Sequence, residues 1–360
     1  MKIAVITCYF LPDYVRARTL RATLKTMPGV HVVIVKNKHT GLLRYPEILW
    51  KIWQVKRHQA PDAYLITFRG YEILPFVLWM AGKKPVIFDE FIIPILHATN
   101  EKHIRTASMM VKHFLSRVGE PMYRRWLRRC KAILADTQVH AELSARVQRL
   151  NLSKYVAVPV GADEKLFKPV WAYQTNDIFR IFYYSLGMQP LHGIPIVLEA
   201  AEKLKDADVE VIMVGGKKPM ERAVKAAQAR GANIRYERWV PFENLVDAIQ
   251  SSALCLGGPF GDTQQAHHVV TGKTYQFLAC AAPVLVGNSE ATDEYFKDKE
   301  NALVVPQGDA EALARAIRWA QKHPAELAGI AKSGRKLYEK EFSTPALARR
   351  LQPLVDALVS

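Results

Sequence analysis

Twelve short runs of β-branched and aromatic residues, each trailed by a stretch long enough for a helix, set the first limit on how this chain can fold. In the first half they are KIAVIT (Lys2 to Thr7), VHVVIV (Val30 to Val35), AYLITF (Ala63 to Phe68), PVIFD (Pro85 to Asp89), KAILAD (Lys131 to Asp136) and YVAVPV (Tyr155 to Val160). The second half repeats the habit with IFRIFYY from Ile178, VEVIMVGG from Val209, IRYERWV from Ile234, ALCLGG from Ala253, PVLVG from Pro283 and ALVVP from Ala302. Near-continuous apolar runs mark strands buried on both faces. Their alternation with helices means parallel sheets built from βαβ crossovers. With 360 residues the chain has room for two such domains. The polar stretch PVWAYQTND (Pro169 to Asp177) is the natural linker between them. The expectation is an α/β chain of two Rossmann-like, doubly wound domains with ligands at the carboxyl ends of the strands.

The loops after those strands exclude several chemistries. The first, CYFLPDYVRAR, carries no G-x-G-x-x-G, which argues against a nicotinamide dehydrogenase. No G-x-x-x-x-G-K-[ST] marks a P-loop, and no G-x-S-x-G marks a nucleophile elbow. Cys8, Cys130, Cys255 and Cys280 are scattered without C-x-x-C spacing, so neither a disulfide framework nor a zinc site is indicated and a reducing cytosol is expected. The opening MKIAVITCYF runs directly into a strand and lacks the layout of a signal peptide. The longest apolar run, ILPFVLWMAG (Ile73 to Gly82), is far too short to span a bilayer and reads as a buried helix.

A net charge of +16 favours an anionic partner. The excess gathers between Lys102 and Arg149 and again in YPEILWKIWQVKRH (Tyr45 to His58), where aromatic residues interleave with Arg and Lys. Such helices pack one face on a core and show a basic face to water, or lie on anionic lipid. No recognised nucleic-acid module is present.

One segment poses a sharper question. From His267 the chain reads HHVVTGKTYQFLACAAP: two histidines and a lysine ahead of a short helix. Metal site, phosphate cradle and ordinary loop are the three readings. Adjacent histidines rarely share one metal, and neither H-x-x-x-H nor a cysteine at ligand spacing supports a metal. Thr271 and Gly272 place a helix N-terminus beside Lys273, which suits phosphate.

Several segments, in order, resemble the retaining glycosyltransferases of the GT-B fold, in particular the GT4 group. They are VPVGADEKLFKP (Val158 to Pro169), FYYSLGMQPLHGIPIVLEAAEKL (Phe182 to Leu204), and the stretch from LGGPFGDTQQAHHVV to EALARAI (Leu256 to Ile317). The resemblance implies residues 1–170 as an acceptor domain, 171–342 as a nucleotide-sugar donor domain, and 343–360 as a helix returning to the first domain. It also implies sugar transfer from a nucleotide diphosphate with retention and no metal or other cofactor.

The family pairs two glutamates eight positions apart, where this chain has His268 and Gln276. The match is instead to a subgroup with a basic residue and, five positions later, a lysine, here Lys273. By the same correspondence Gly187, His192 and Gly193 form the loop facing the diphosphate, and Gly215, Arg238 and Trp239 flank the base. Gln276 can still hydrogen-bond ribose hydroxyls. On the acceptor side Arg16 and Arg18 read either as phosphate contacts or as surface charges. Asp89 reads either as a group that orients or deprotonates the acceptor hydroxyl or as a turn cap. The expected protein is a cytoplasmic glycosyltransferase, peripheral on the inner face of a membrane, with a carbohydrate or lipid-linked acceptor and no nucleic acid. A sugar-nucleotide epimerase and a non-catalytic sugar-nucleotide binder are the alternatives.

Overall fold

The computed structural model describes residues 1–94, 119–169 and 178–359. The linker segment beyond Pro169 and the basic stretch from Lys102 to residue 118 lie outside the described residues. The chain divides into two compact units: Met1–Gly161 together with Thr344–Ser360, and Ala162–Ser343.

Each unit is built on a six-stranded, wholly parallel sheet. In the first, β1 (Lys2–Thr7), β2 (His31–Lys36), β3 (Ala63–Thr67), β4 (Val86–Asp89), β5 (Ala132–Ala135) and β6 (Tyr155–Ala157) run in the order β2-β1-β3-β4-β5-β6. In the second, β7 (Phe179–Tyr184), β8 (Val209–Val214), β9 (Ile234–Glu237), β10 (Leu254–Leu256), β11 (Val284–Asn288) and β12 (Leu303–Pro306) run in the order β12-β11-β10-β7-β8-β9. All twelve apolar runs of the sequence are strands.

Burial follows position in the sheet. The central strands β3, β4, β5 and β10 are buried at every residue, whereas the edge strands β2 and β9 expose side chains such as His31 and Arg235. Prolines sit in the first turn of the helices Leu74–Ala81, Ile194–Lys203, Lys218–Ala229 and Pro324–Leu337, where the missing N–H has no intrahelical partner to lose. The C-terminal helix, Thr344–Val359, lays Leu347, Leu351, Leu354 and Val355 on Ile3, Val5, Leu20 and Leu24 of the first unit.

One expectation needs correction. The apolar run from Ile73 to Gly82 forms the helix Leu74–Ala81, which buries Leu74, Val77, Leu78, Met80 and Ala81, but Phe76 and Trp79 face solvent. Mean hydropathy is too high throughout this run for periodicity to reveal its outer face.

Candidate functional site

In the second unit the chain starts at β7 and winds outward through β8 to β9, then returns to β10 and winds the other way through β11 to β12. The order reverses between β7 and β10. Loops leaving these neighbours diverge, and the carboxyl ends at such a switch point are where doubly wound sheets hold ligands.

Two backbones meet closely there. Gly193, after β7, has φ +63°, and a Cβ on it would stand 2.5 Å from the amide nitrogen of Gly261 in the loop after β10. A Cβ on Gly261 would stand 1.9 Å from the Pro190 carbonyl. Only glycine permits this approach at both positions. Gly187, by contrast, has open space around its Cα, and its carbonyl accepts from Ser185 Oγ at 2.8 Å.

The helix Gly272–Ala279 begins beside these loops. Its N-cap residue, Thr271, donates its hydroxyl to the Gly257 carbonyl at 2.6 Å, so no side chain caps the helix. First-turn amides left this way carry partial positive charge. Lys273, the second helical residue, is buried. Its Nζ donates to the Tyr184 carbonyl at 3.2 Å and lies 3.8 Å from the centre of the Tyr183 ring. Burial pushes the ammonium pKa down to about 7. Gln276, one turn on and also buried, accepts a hydrogen bond from the Tyr184 hydroxyl. Tyr184 therefore fixes both: its carbonyl takes Lys273 and its hydroxyl takes Gln276.

His192 completes this group. Its carbonyl accepts from the Tyr183 hydroxyl at 3.1 Å, and its buried Nδ1 finds no hydrogen-bond partner among the described residues. Burial, with a smaller contribution from the Lys273 charge, pushes the imidazole down to about 3. It is neutral at physiological pH.

His267 and His268 close a short turn, Ala266–His268, and their rings take separate partners: His267 Nε2 meets Asp262 Oδ1 at 2.9 Å, and His268 Nδ1 meets the Gln264 carbonyl at 2.5 Å. Among the described residues no group of three or more His, Cys, Asp and Glu side chains is arranged to hold a metal. Gly215, at the end of β8, donates its N–H to the Glu237 carbonyl at 2.9 Å and accepts from the Tyr236 hydroxyl at 3.0 Å. Arg238 and Trp239 follow at the end of edge strand β9, both exposed and roughly 10 Å from β7 by two strand spacings.

The first unit reverses order between β1 and β3. Phe68 and Arg69, just past β3, both have left-handed backbones (φ +34° and +55°). The Phe68 ring lies 4.7 Å from that of Tyr9, 4.3 Å from Tyr14 and 5.0 Å from Phe91. Arg16 and Asp89 are fully buried and bonded to each other: Nε and Nη2 both donate to Oδ1, at 3.0 and 2.8 Å. Arg16 Nη1 donates to the Val158 and Pro159 carbonyls, and Asp89 Oδ2 accepts from the Phe68 N–H. Arg18 is half-buried on the same helix, Val15–Thr26.

The structure thus gathers Gly193, His192, Lys273 and Gln276 around the end of β7, leaves Arg238 and Trp239 at the sheet edge, and sets Arg16 with Asp89 in the interior of the first unit. Sequence reading missed Tyr183 and Tyr184. An aromatic pair at the carboxyl end of a central strand, in FYYSLG, was the available signal.

Whole-chain comparison decides the architecture. The structure matches that of Anabaena Alr3699/HepE in complex with UDP and glucose (14% identity, TM-score 0.69, covering 99% of this chain and 100% of that one). The fold is GT-B. A second GT-B match is sucrose-phosphate synthase from Thermosynechococcus elongatus (15% identity, TM-score 0.75, covering 100% and 99%). A third is the apo form of the lipopolysaccharide outer core galactosyltransferase WaaB (9% identity, TM-score 0.60, covering 99% of each). Residues 196–354 match the family described as Glycosyl transferase-like. No curated protein sequence matches the chain. Among the described residues no helix is long and apolar enough to cross a membrane.

Proposed function

We propose that this GT-B chain is a glycosyltransferase that moves a sugar from a nucleoside diphosphate to an acceptor hydroxyl with retention at the anomeric carbon, without a metal ion. The observation that carries this reading is Lys273, a buried lysine at an uncapped helix N-terminus beside the switch point of the second sheet.

The chemistry turns on charge at the departing diphosphate. As the anomeric C–O bond breaks, its electron pair stays on the β-phosphate oxygen. A cation and oriented N–H groups that are already in place stabilise that charge without reorganisation. Lys273, the first-turn amides and the backbone around Gly187 are assigned this task. His192, neutral with an unsatisfied ring nitrogen, is assigned as a hydrogen-bond partner of the same phosphates. His268 adds a cation when protonated. Gln276 takes the ribose, and Gly215, Arg238 and Trp239 the base. The acceptor hydroxyl forms the new C–O bond on the face the phosphate leaves, and its proton passes to the phosphate oxygen. No protein nucleophile is needed.

In the first unit, Arg16 and Asp89 spend their polar atoms on each other and on main chain, so we assign them to shaping the strand ends. The acceptor is placed instead at the β1–β3 switch, against Tyr9, Tyr14, Phe68 and Phe91, with Arg18 at its margin. A carbohydrate or lipid-linked acceptor reached from the cytoplasmic face of a membrane fits this assignment.

The test is a thermal-shift series with UDP, GDP, ADP and TDP, with and without EDTA, followed by donor turnover with the diphosphate that binds. A shift with one diphosphate that survives EDTA supports the reading. No shift with any of them removes it. Binding without turnover on any acceptor or water turns the chain into a sugar-nucleotide binder. Loss of binding in EDTA restores a metal.

A further inference from the structure

The helices Arg44–Gln59 and Leu74–Ala81 connect β2 to β3 and β3 to β4. Both connections move in the same direction across the sheet, so right-handed crossovers set both helices on one face of it. Their inner sides share one core cluster: Ile48 and Ile52 from the first, Leu74, Val77 and Leu78 from the second. Their outer sides are neighbours for the same reason.

Those outer sides are aromatic. On the first helix Pro46, Trp50, Trp53 and Arg57 fall at i, i+4, i+7 and i+11, one stripe opposite Ile48 and Ile52, with Trp50 57% and Trp53 46% exposed. On the second helix Phe76 and Trp79 are 51% and 78% exposed, and the exposed Lys83 follows. Leu42 and Leu43 extend the apolar surface ahead of the first helix. Single exposed apolar residues are ordinary, but four large aromatics on adjoining helix faces are not.

The surrounding charge is mainly positive, with Asp62 Oδ1 3.9 Å from Lys84 Nζ and Glu72 held by Arg44. Lys56, Arg57, Lys83 and Lys84 are exposed around these aromatics, and the Arg57 guanidinium lies 5.4 Å from the Trp53 ring centre. The one acid on the two helices, Glu47, is engaged by Lys51 and by the N–H groups of Lys38 and His39.

We infer that this face of the first unit docks on an anionic lipid bilayer. The indole and phenyl rings of Trp50, Trp53, Phe76 and Trp79 occupy the headgroup layer, where amphipathic rings settle. The four cations meet lipid phosphates. A second copy of the chain fits less well, because a two-fold contact would press the same cations together. The inference deepens the proposed function by giving a transferase direct access to membrane-held acceptors. It is nevertheless tested without turnover, so either reading can fail alone.

The full chain is floated with vesicles of phosphatidylcholine alone and of an equal phosphatidylcholine–phosphatidylglycerol mixture, at low and high salt. Binding to the mixed vesicles only, weakened by salt, is expected. The triple variant Trp50→Ser, Trp53→Ser, Trp79→Ser and the quadruple variant Lys56→Ser, Arg57→Ser, Lys83→Ser, Lys84→Ser should each lose roughly tenfold in partition. Circular dichroism and thermal denaturation of the variants check folding. If the triple variant fails to fold, quenching of wild-type tryptophan emission by brominated lipid replaces it. No binding to mixed vesicles, equal binding to both vesicles, a triple variant that binds like wild type, or unquenched emission each overturns the inference. A dimer in solution that the triple variant abolishes, with no vesicle binding, gives the surface to a second copy instead.

Discussion

Lys273 holds its ammonium 3.2 Å from the Tyr184 carbonyl and 3.8 Å from the centre of the Tyr183 ring. A ring face and one carbonyl replace little of the hydration that a lysine has in water, and among the described residues no carboxylate pairs with the ammonium. Its pKa of about 7 expresses that deficit. An arriving diphosphate would supply what is missing. The same feature that costs folding energy makes the position receptive to an anion.

The cost should be visible in stability. A lysine in the unfolded chain keeps a pKa near about 10.4. The folded value is lower, so between about pH 7 and about pH 10 the unfolded state holds more protons, and stability rises with pH. From pH 7 to pH 9 this contributes about 2 kcal/mol. Lys273→Met should remove that rise while keeping the rest of the pH profile. Urea denaturation of both proteins at the two pH values measures it, and identical slopes would contradict the buried, poorly solvated lysine.

Ligand binding should carry the opposite signature. A phosphate beside Lys273 favours the ammonium and raises its pKa, so binding above about pH 7 takes up a proton. Calorimetry of nucleoside diphosphate binding at pH 8, in buffers of different ionisation enthalpy, should show uptake in wild type and little in Lys273→Met. The variant should also bind roughly 1.5–3 kcal/mol more weakly, the scale of a charge-assisted hydrogen bond. Equal affinity would take Lys273 out of the site.

The strands were legible in the sequence because parallel strands buried on both faces leave uninterrupted β-branched runs, and all twelve could be marked from KIAVIT onward. The start of the helix Gly272–Ala279 was legible from Thr271 and Gly272. The pairing of Arg16 with Asp89 was not, because it joins a helix to a strand end 73 residues away and depends on register between elements. The role of Tyr184 was hidden for another reason: it acts partly through its carbonyl, which any residue would supply. Trp79 was misread as buried because its helix is apolar all round, and hydropathy alone does not separate a core face from an outward one.

Breaking the Arg16–Asp89 pair should reveal its structural role. Asp89→Ala leaves a guanidinium buried with only carbonyl partners and the Val158–Pro159 segment pulling on it. The expected loss is about 3–5 kcal/mol. Arg16→Met combined with Asp89→Leu removes both charges and should recover most of that loss. Chemical denaturation of the two variants and the wild type separates this account from one in which Asp89 acts on the acceptor, which predicts a stable but inactive Asp89→Ala.

Two glycines in the loop after β7 should respond in opposite ways. Gly193→Ala places a methyl group 2.5 Å from the Gly261 amide nitrogen on a backbone with φ +63°. Left-handed strain and the overlap of two main chains together cost about 3 kcal/mol or more, because neither neighbour is a flexible side chain that can step aside. Gly187→Ala meets open space and should change stability by less than about 0.5 kcal/mol. Yet Gly187 is assigned to close backbone approach by phosphate, so its methyl group should weaken diphosphate binding in a fully folded protein. Melting temperature and diphosphate affinity, measured on both variants, decide the matter. A Gly187→Ala protein with wild-type affinity would move the phosphates away from this loop, toward the helix start at Lys273.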